Sequence, residues 1–319
     1  MPLAGMKQRE HRPTRSVSES NGGHRTQVQP PHHQSPAPFC SQRGEYQPPT
    51  TTDHWSSQAY SASASFVPRL TQTLLRYLDP QPTDRVLDIG CGDGQFTARF
   101  LPAVGFVMGV DASPAMIEAA RKDYGGSTTE FRVVDCRYLE RETSIVDGSW
   151  DKIVSNAALH WILRDAATRL STLRAIHAAL KPGGAFVFEM GGHGNVAEIT
   201  AALLGALVRH GVPIARARES VPWFFPSERW MRDALEGIGF RVETLETEYR
   251  PTRATTGPDG GVEGWIRLMA ARMLETLPAD ERDGAVRDAC EVLETVLTSQ
   301  EDGSQWLGYV RLRGVARKG

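Results

Sequence analysis

The chain has little of what marks the more specialised protein classes. It carries almost no net charge: 36 Lys and Arg stand against 38 Asp and Glu, giving −2 at pH 7. No bulk field therefore recruits nucleic acid or an anionic membrane. No apolar run approaches the roughly 20 residues that span a bilayer. No apolar stretch at the N-terminus suits a secretory leader. The four cysteines among 319 residues, Cys40, Cys91, Cys136 and Cys290, are far apart and form no CxxC pair. That argues against a disulfide framework and a zinc site, and fits a reducing compartment. There is no internal repeat, and no basic stripe interleaved with aromatics as an RNA-binding surface would need. These absences predict a cytoplasmic protein with no metal, no nucleic acid and no membrane partner. They leave the oligomeric state open.

Residues 1–54 hold eight of the 20 prolines with many Gln, Ser, His and Arg, and little periodic apolar content. Such a segment cannot bury enough surface to offset the entropy of ordering, so a disordered tail is expected. His32 and His33 read as part of a solvated tail rather than as metal ligands. The arginines invite a mitochondrial transit peptide as the alternative, but Glu10, Glu19 and the lack of an amphipathic pattern count against it.

From residue 55 to 319 the pattern is that of one folded domain. Leu70, Leu74, Leu75 and Leu78 recur at helical spacing, and "DPQP" stops them. "RVLDIG" is a short apolar strand suited to burial on both faces. A helix over about 95–102 follows, then the strand "GFVMGVDAS". In "SPAMIEAARKD" Ser113 is placed as N-cap and Pro114 at the first helical position. "EFRVVDC" and "WDKIVSNAAL" are strands, 165–180 a helix ended by "KPGG", and "AFVFEM" a fifth strand. This alternation predicts an α/β fold, a mainly parallel sheet with helices on both faces. Beyond 195, helices are expected over about 196–210, 227–237, 262–277 and 280–298. "FRVETLETEYR" and "YVRLRGVAR" are expected as an antiparallel pair completing the sheet, with the helices between them as a cap. The cofactor half is thus about 66–195, and the cap with the last strands about 196–317.

Ligands of such sheets sit at the carboxyl ends of the strands, where the motifs fall. "VLDIGCGDG" places Gly90, Gly92 and Gly94 at alternate positions, removing Cβ atoms where a ligand must lie against backbone. The spacing fails the dinucleotide pattern GxGxxG, because residue 95 is Gln. Asp88 just before the first glycine would repel a pyrophosphate and welcome a cation. S-adenosylmethionine carries an ammonium and a sulfonium and no phosphate. Asp111 ends the second strand, where a carboxylate can accept from both ribose hydroxyls. Asp135 ends the third, placed to accept from an adenine amino group, with Cys136 after it. Asn156 ends the fourth, near the expected methionine portion. Taken singly, each is as well read as a turn former, a cap or tight packing.

Taken in order, "VLDIGCGDG", "GVDAS", "VVDC", "SNAALHW" and "LKPGG" resemble the class I S-adenosylmethionine-dependent methyltransferases. The closer resemblance is to their small-molecule, type 11 branch. "WDKIVSNAALHWI" is similar to the matching segment of trans-aconitate, malonyl-carrier and juvenile hormone acid methyltransferases. Trp55 and Tyr60 match a W…Y pair near the N-terminus of the trans-aconitate group. "FEMGGHGN" and "VPWFFPSERW" look closest to uncharacterised fungal members. The resemblance implies a Rossmann-like seven-stranded sheet with a helical cap, and S-adenosyl-L-methionine as cofactor. It implies Tyr60, Ala112 and Met116 as further cofactor contacts, and methylation of a small acceptor, as in fungal secondary metabolism.

Methyl transfer from a sulfonium needs alignment and desolvation. It needs a base only where the acceptor must lose a proton. His160, after the fourth strand, and His193, in the loop after the fifth, are the candidate bases for a phenol or enol. A carboxylate would need neither. The neutral alternatives are a backbone-bonded His160 and a turn residue His193. The aromatics Trp223, Phe224, Phe225 and Trp230, between prolines, suggest a lid over an apolar acceptor. Trp161 and Trp265 join Trp223 and Phe224 as candidate acceptor contacts, although the stripe holding Trp265 reads equally as core. The run "ARARE" at 215–219 reads as a solvated face. Protein or RNA methylation, and non-catalytic binding of the cofactor, are the competing functions. "SNAA" departs from the Asn-Pro-Pro-aromatic signature of base methylases, and the full set of cofactor acids argues for catalysis.

Overall fold

A computed structural model describes residues 71–256 and 260–319. All of them belong to the unit Thr51–Gly319. The expected tail, its boundary near residue 54, Trp55 and Tyr60 lie outside the described residues.

Seven strands form one sheet in the order β3-β2-β1-β4-β5-β7-β6. They are β1 (Arg85–Ile89), β2 (Phe106–Asp111), β3 (Thr129–Val133), β4 (Trp150–Asn156), β5 (Leu180–Gly191), β6 (Phe240–Arg253) and β7 (Trp306–Lys318). The first five are parallel, and β7 runs antiparallel between β5 and β6. The last two strands therefore complete the sheet as the alternation in their sequence implies.

One face is covered by α1 (Gln72–Leu78). Its Leu74 and Leu78 pack with Phe96 and Phe100 on Val86, Val107, Val154, Val187 and Val315. The opposite face carries Leu87, Ile89, Ile153, Phe186 and Phe188 under α4 (Arg169–Ala179) and α7 (Glu228–Ile238). Period-2 alternation along buried strands produces this division. Between them in the chain lie α2 (Pro114–Tyr124) and α3 (Leu159–Ile162). The Ser113 Oγ accepts from the Met116 N–H at 3.2 Å, as an N-cap does.

The expected helix over 95–102 is instead two short 3-10 turns, Thr97–Arg99 and Leu101–Ala103. Pro102 has no N–H for an α-helical bond back to residue 98. The expected helix over 262–277 breaks at Ala270 (φ −105°, ψ 16°) into α8 (Gly261–Met269) and α9 (Ala271–Leu274). With α5 (Ala197–Arg209), α6 (Ile214–Ser220) and α10 (Arg282–Leu297), these make the cap. Its core includes Leu203, Leu207, Trp223, Trp265, Ile266, Met273, Val286 and Tyr309. The stripe on α8 and α9 is thus core. Arg216 and Arg218 on α6 are exposed. Among the described residues no helix is long and apolar enough to cross a membrane.

Candidate active site

The strand-end residues share one face of the sheet. Alternation puts Asp88 on the side of Val86, Asp111 on that of Val107, Asn156 on that of Val154, and Glu189 on that of Val187. This is the α1 face, at its carboxyl edge.

Gly90, Gly92 and Gly94 all have positive φ, at 72°, 56° and 83°. The space beside them differs. A Cβ at Gly90 would stand 2.1 Å from the Ala158 Cβ, and one at Gly94 would stand 2.8 Å from the Tyr124 ring. These two glycines let the turn pack against its own protein. Among the described residues, a Cβ at Gly92 would meet nothing within 4 Å. Of the three, Gly92 is the one with open space where a side chain would begin.

Asp111 is held by two amides: the Gly92 N–H donates to its Oδ2 at 3.0 Å and the Ser113 N–H to its Oδ1 at 2.9 Å. These two amides fix the carboxylate beside the glycine turn. Ala112 is exposed beside it, and Met116 is buried in the first turn of α2. Asp88 is 1% exposed; its Oδ2 accepts from the Thr97 hydroxyl at 2.7 Å. Burial pushes its carboxyl up to about 7, Thr97 opposes that, and the charge of Asp111 adds to it. Its Oδ1, and the Oδ1 of Asn156, are buried without a hydrogen-bond partner among the described residues. Two orphaned acceptors on one face, one of them a carboxylate held partly neutral for want of a counter-charge, fit a cationic ligand. S-adenosylmethionine would satisfy that demand, and Asp88, Gly92, Asp111 and Asn156 are the residues that could hold it.

Asp135 and Cys136 are less available than expected. Asp135 caps the short 3-10 turn that follows β3, accepting from the Arg137 N–H at 3.1 Å and from its guanidinium Nη2 at 2.6 Å. An adenine amino group would have to share those oxygens. Cys136 is 3% exposed within the core group that includes Val110 and Leu139, and burial pushes its thiol up. The Cys136 side chain is core, so a contact from this residue would come from its backbone.

His160 is 7% exposed, and its Nδ1 accepts from the Gly191 N–H at 3.4 Å. The neutral ring therefore carries its proton on Nε2. Burial, and then the charge of Arg311, hold its pKa well below the usual histidine value. This geometry favours the backbone-bonded alternative for His160 over the base. His193 is exposed in the glycine turn, where its N–H donates to the Pro226 carbonyl at 2.9 Å. Among the described residues no contact joins its ring to His160.

The aromatic run divides by alternation. Trp223 and Phe225 stack at 5.6 Å, with Phe225 5.5 Å from His160 and Trp223 5.7 Å from Trp161. Phe224 turns the other way, edge-on to Trp230 at 4.8 Å and under the Arg169 guanidinium at 3.6 Å. Phe224, expected as an acceptor contact, thus packs away from the cluster around His160. Trp265 lies behind Trp223 at 6.0 Å, is 4% exposed, and donates from Nε1 to the Tyr309 hydroxyl at 2.6 Å. It supports the aromatic wall rather than forming its surface.

An ion network that the sequence patterns do not announce lies beside this wall. Glu189 Oε1 accepts from Arg250 Nη2 at 2.7 Å and from Arg311 Nε at 3.1 Å, and its Oε2 accepts from Arg313 Nη1 at 3.4 Å. Glu189, Arg311 and Arg313 are 1%, 4% and 7% exposed. Burial alone would raise the Glu189 carboxyl, but the three guanidiniums hold it below the ordinary range. Its only trace in the sequence is the charges at alternate positions in "YVRLRG" and one acid in the apolar "AFVFEM".

Residues 86–184 match the family model described as a methyltransferase domain. The chain is 34% identical over 266 residues to an uncharacterized methyltransferase of Schizosaccharomyces pombe, covering 83% of this chain and 98% of that one. It is 28% identical over 274 residues to a trans-aconitate 2-methyltransferase of Methylobacterium radiotolerans, again covering 83% and 98%. In fold it is similar to the solved structure of a putative methyltransferase of Bacillus halodurans. The TM-score is 0.54 at 16% identity, over 78% of this chain and 99% of that one.

Proposed function

The chain belongs to the S-adenosylmethionine-dependent methyltransferases, and from that premise we propose that it methylates a small organic acid on a carboxyl oxygen. The observation that carries this reading is the state of His160. The ring is buried and neutral, with its Nδ1 taken by Gly191 and its Nε2 left as a donor. A phenol or enol acceptor needs a base near neutral pH, whereas a carboxylate arrives already ionised. Two further observations agree with it. Arg311 supplies positive charge next to His160, and the Methylobacterium relative is named for trans-aconitate, a carboxylate.

The cofactor, when bound, supplies an activated methyl group on a cationic sulfur. Asp111 would take the ribose hydroxyls, and Asp88 and Asn156 would face the cationic end. Trp161, Trp223 and Phe225 would exclude water from the acceptor, and the His160 Nε2–H would orient one of its oxygens. The methyl group would pass to a lone pair of the acceptor oxygen as the carbon–sulfur bond broke toward sulfur, and His160 would neither give nor take a proton. A cation and an anion are consumed and two neutral groups result, so an environment that strips water from both charges favours the step.

The test works without an identified acceptor. The protein is incubated with methyl-labelled cofactor and the small-molecule fraction of a cell extract, and the products are then treated with mild alkali. A carboxylate ester gives the label up as volatile methanol. Label that stays in a non-volatile ether or amine sinks the carboxylate reading.

A further inference from the structure

We infer that Arg311 is the residue that grips the carboxylate of the acceptor, with Glu189 holding its guanidinium in place; this rests on the carboxylate reading above. Arg311 pairs with Gly191 across β5 and β7, and the Gly191 N–H is the group that anchors His160. The arginine therefore stands in register with the backbone that sets the imidazole. Its guanidinium carbon is 6.0 Å from the Tyr309 ring, in the same wall as Trp265 and Trp223.

Its hydrogen bonding is incomplete. Nε donates to Glu189, while Nη2 is buried without an acceptor among the described residues. A buried charged donor left unpaired carries a large desolvation penalty, so such groups are paired in one state of the protein or another. The local charge points the same way. Glu189 is shared between Arg250, Arg311 and Arg313. The acids that also draw on Arg313 are Glu246 and Glu248, both about two-fifths exposed, and no ion pair joins either of them to Arg311. The Arg311 end of the network is short of negative charge.

The ligand chemistry follows from the partners. A planar guanidinium presents a fork of N–H groups that fits a carboxylate in plane. Along the same face the orphaned groups change kind. Asp88 Oδ1 and Asn156 Oδ1 are acceptors awaiting a cation, and Arg311 Nη2 is a donor awaiting an anion. The two reactants of a sulfonium-to-carboxylate transfer have those charges.

The full-length protein is compared with Arg311→Gln and Arg311→Lys. Affinity for S-adenosylhomocysteine is read by calorimetry, and base-labile methyl transfer is followed against the concentration of extract, with trans-aconitate as a defined probe. The expected result for Arg311→Gln is cofactor affinity within about twofold of wild type and a half-saturating acceptor concentration raised about thirtyfold or more. Arg311→Lys keeps the charge but not the fork and should recover part of that loss. An unchanged half-saturation in Arg311→Gln overturns the inference. So does an equal fall in S-adenosylhomocysteine affinity, which would assign the guanidinium to the cofactor's own carboxylate. If Arg311→Gln shows no cooperative melt, Arg311→Lys decides alone, and wild-type half-saturation there is equally fatal. Wild-type product that is not base-labile defeats the carboxylate reading itself; a base-labile product with indifferent Arg311 variants defeats only this inference.

Discussion

The two ends of the sheet's carboxyl edge are built from opposite charges. On β1, β2 and β4 the polar side chains are acceptors: Asp88, Asp111 and Asn156. On β6 and β7 they are guanidiniums, Arg250, Arg311 and Arg313, gathered around one acid from β5. The construction differs as well. The Asp111 clasp closes with Gly92 and Ser113, 19 and 2 residues away along the chain. The Glu189 network joins residues 61, 122 and 124 apart. One end is a local loop device and the other is a product of tertiary pairing. That difference explains what each tolerates: a loop clasp can fail by losing its ligand while the fold survives, but a buried ion network cannot lose its hub so quietly.

Removing the hub should give the largest effect. Glu189→Gln would leave three guanidiniums around a neutral amide, two of them buried. Breaking one partner of a buried pair costs about 3–5 kcal/mol. At about 2–4 °C per kcal/mol for a domain of this size, the melting temperature should fall by about 10 °C. A melt within a degree or two of wild type would show that Glu246 and Glu248 can replace the hub. The matching change at the cofactor end is Asp111→Ala. Charge-assisted hydrogen bonds are worth about 1.5–3 kcal/mol each, so S-adenosylhomocysteine affinity should fall by about one to three orders of magnitude. The melting temperature without ligand should move far less than in Glu189→Gln. Unchanged affinity in a folded Asp111→Ala would mean that another residue holds the ribose.

The same contrast governs how much can be read from the sequence. The glycine turn, the Ser113 cap and the strand-end acids are runs of adjacent residues whose conformation is set locally, so their pattern survives in one dimension. The pairing of the last two strands is also readable, because alternation in "YVRLRGVAR" marks a strand and the cap helices fall between it and "FRVETLETEYR". Glu189 and Arg311 cannot be paired in advance, because their contact depends on β7 entering beside β5. The histidine at 160 stands out in its motif, but its role depends on a backbone amide 31 residues away. The division of Trp223 and Phe225 from Phe224 rests on an extended segment that no motif announces.

The glycines allow a finer comparison within the cofactor end. Gly92→Ala keeps open space around its Cβ but must hold φ at 56°, which costs about 1–2 kcal/mol for an L-residue. Gly90→Ala carries a similar backbone cost and adds a 2.1 Å collision with Ala158. Thermal melts should therefore rank Gly90→Ala well below Gly92→Ala. Cofactor titration of the folded Gly92→Ala should nonetheless show weakened binding, because its methyl group enters the space left beside Asp111. If Gly92→Ala binds as wild type, the ligand does not approach that backbone.

The smallest expected effect concerns a proton. The Asp88 carboxyl is raised from 3.8 to about 7 in the folded protein without ligand, chiefly by burial. A raised carboxyl pKa means that the folded state favours the protonated form. Its contribution to stability is full below the unfolded value of 3.8 and is lost as pH climbs through about 7. A cationic ligand reverses this preference, because its positive charge favours the carboxylate. Binding of S-adenosylmethionine should then release a proton from Asp88, and affinity should rise with pH. From pH 6 to pH 8 the ionised fraction of a group with a pKa of about 7 grows about tenfold, and that is the expected gain in affinity. Calorimetry in buffers of different ionisation enthalpy would count the protons released. Asp88→Asn keeps an acceptor for the Thr97 hydroxyl and removes the titration, so its affinity should be lower and level across this range. The acceptor side should show no matching step from His160, whose pKa lies well below 6.5: the ring stays neutral throughout, and turnover at saturating cofactor should carry no limb from it near pH 6–7. A pH dependence that persists in Asp88→Asn would place the responsible proton elsewhere and remove the electrostatic link between the two orphaned acceptors and the cation.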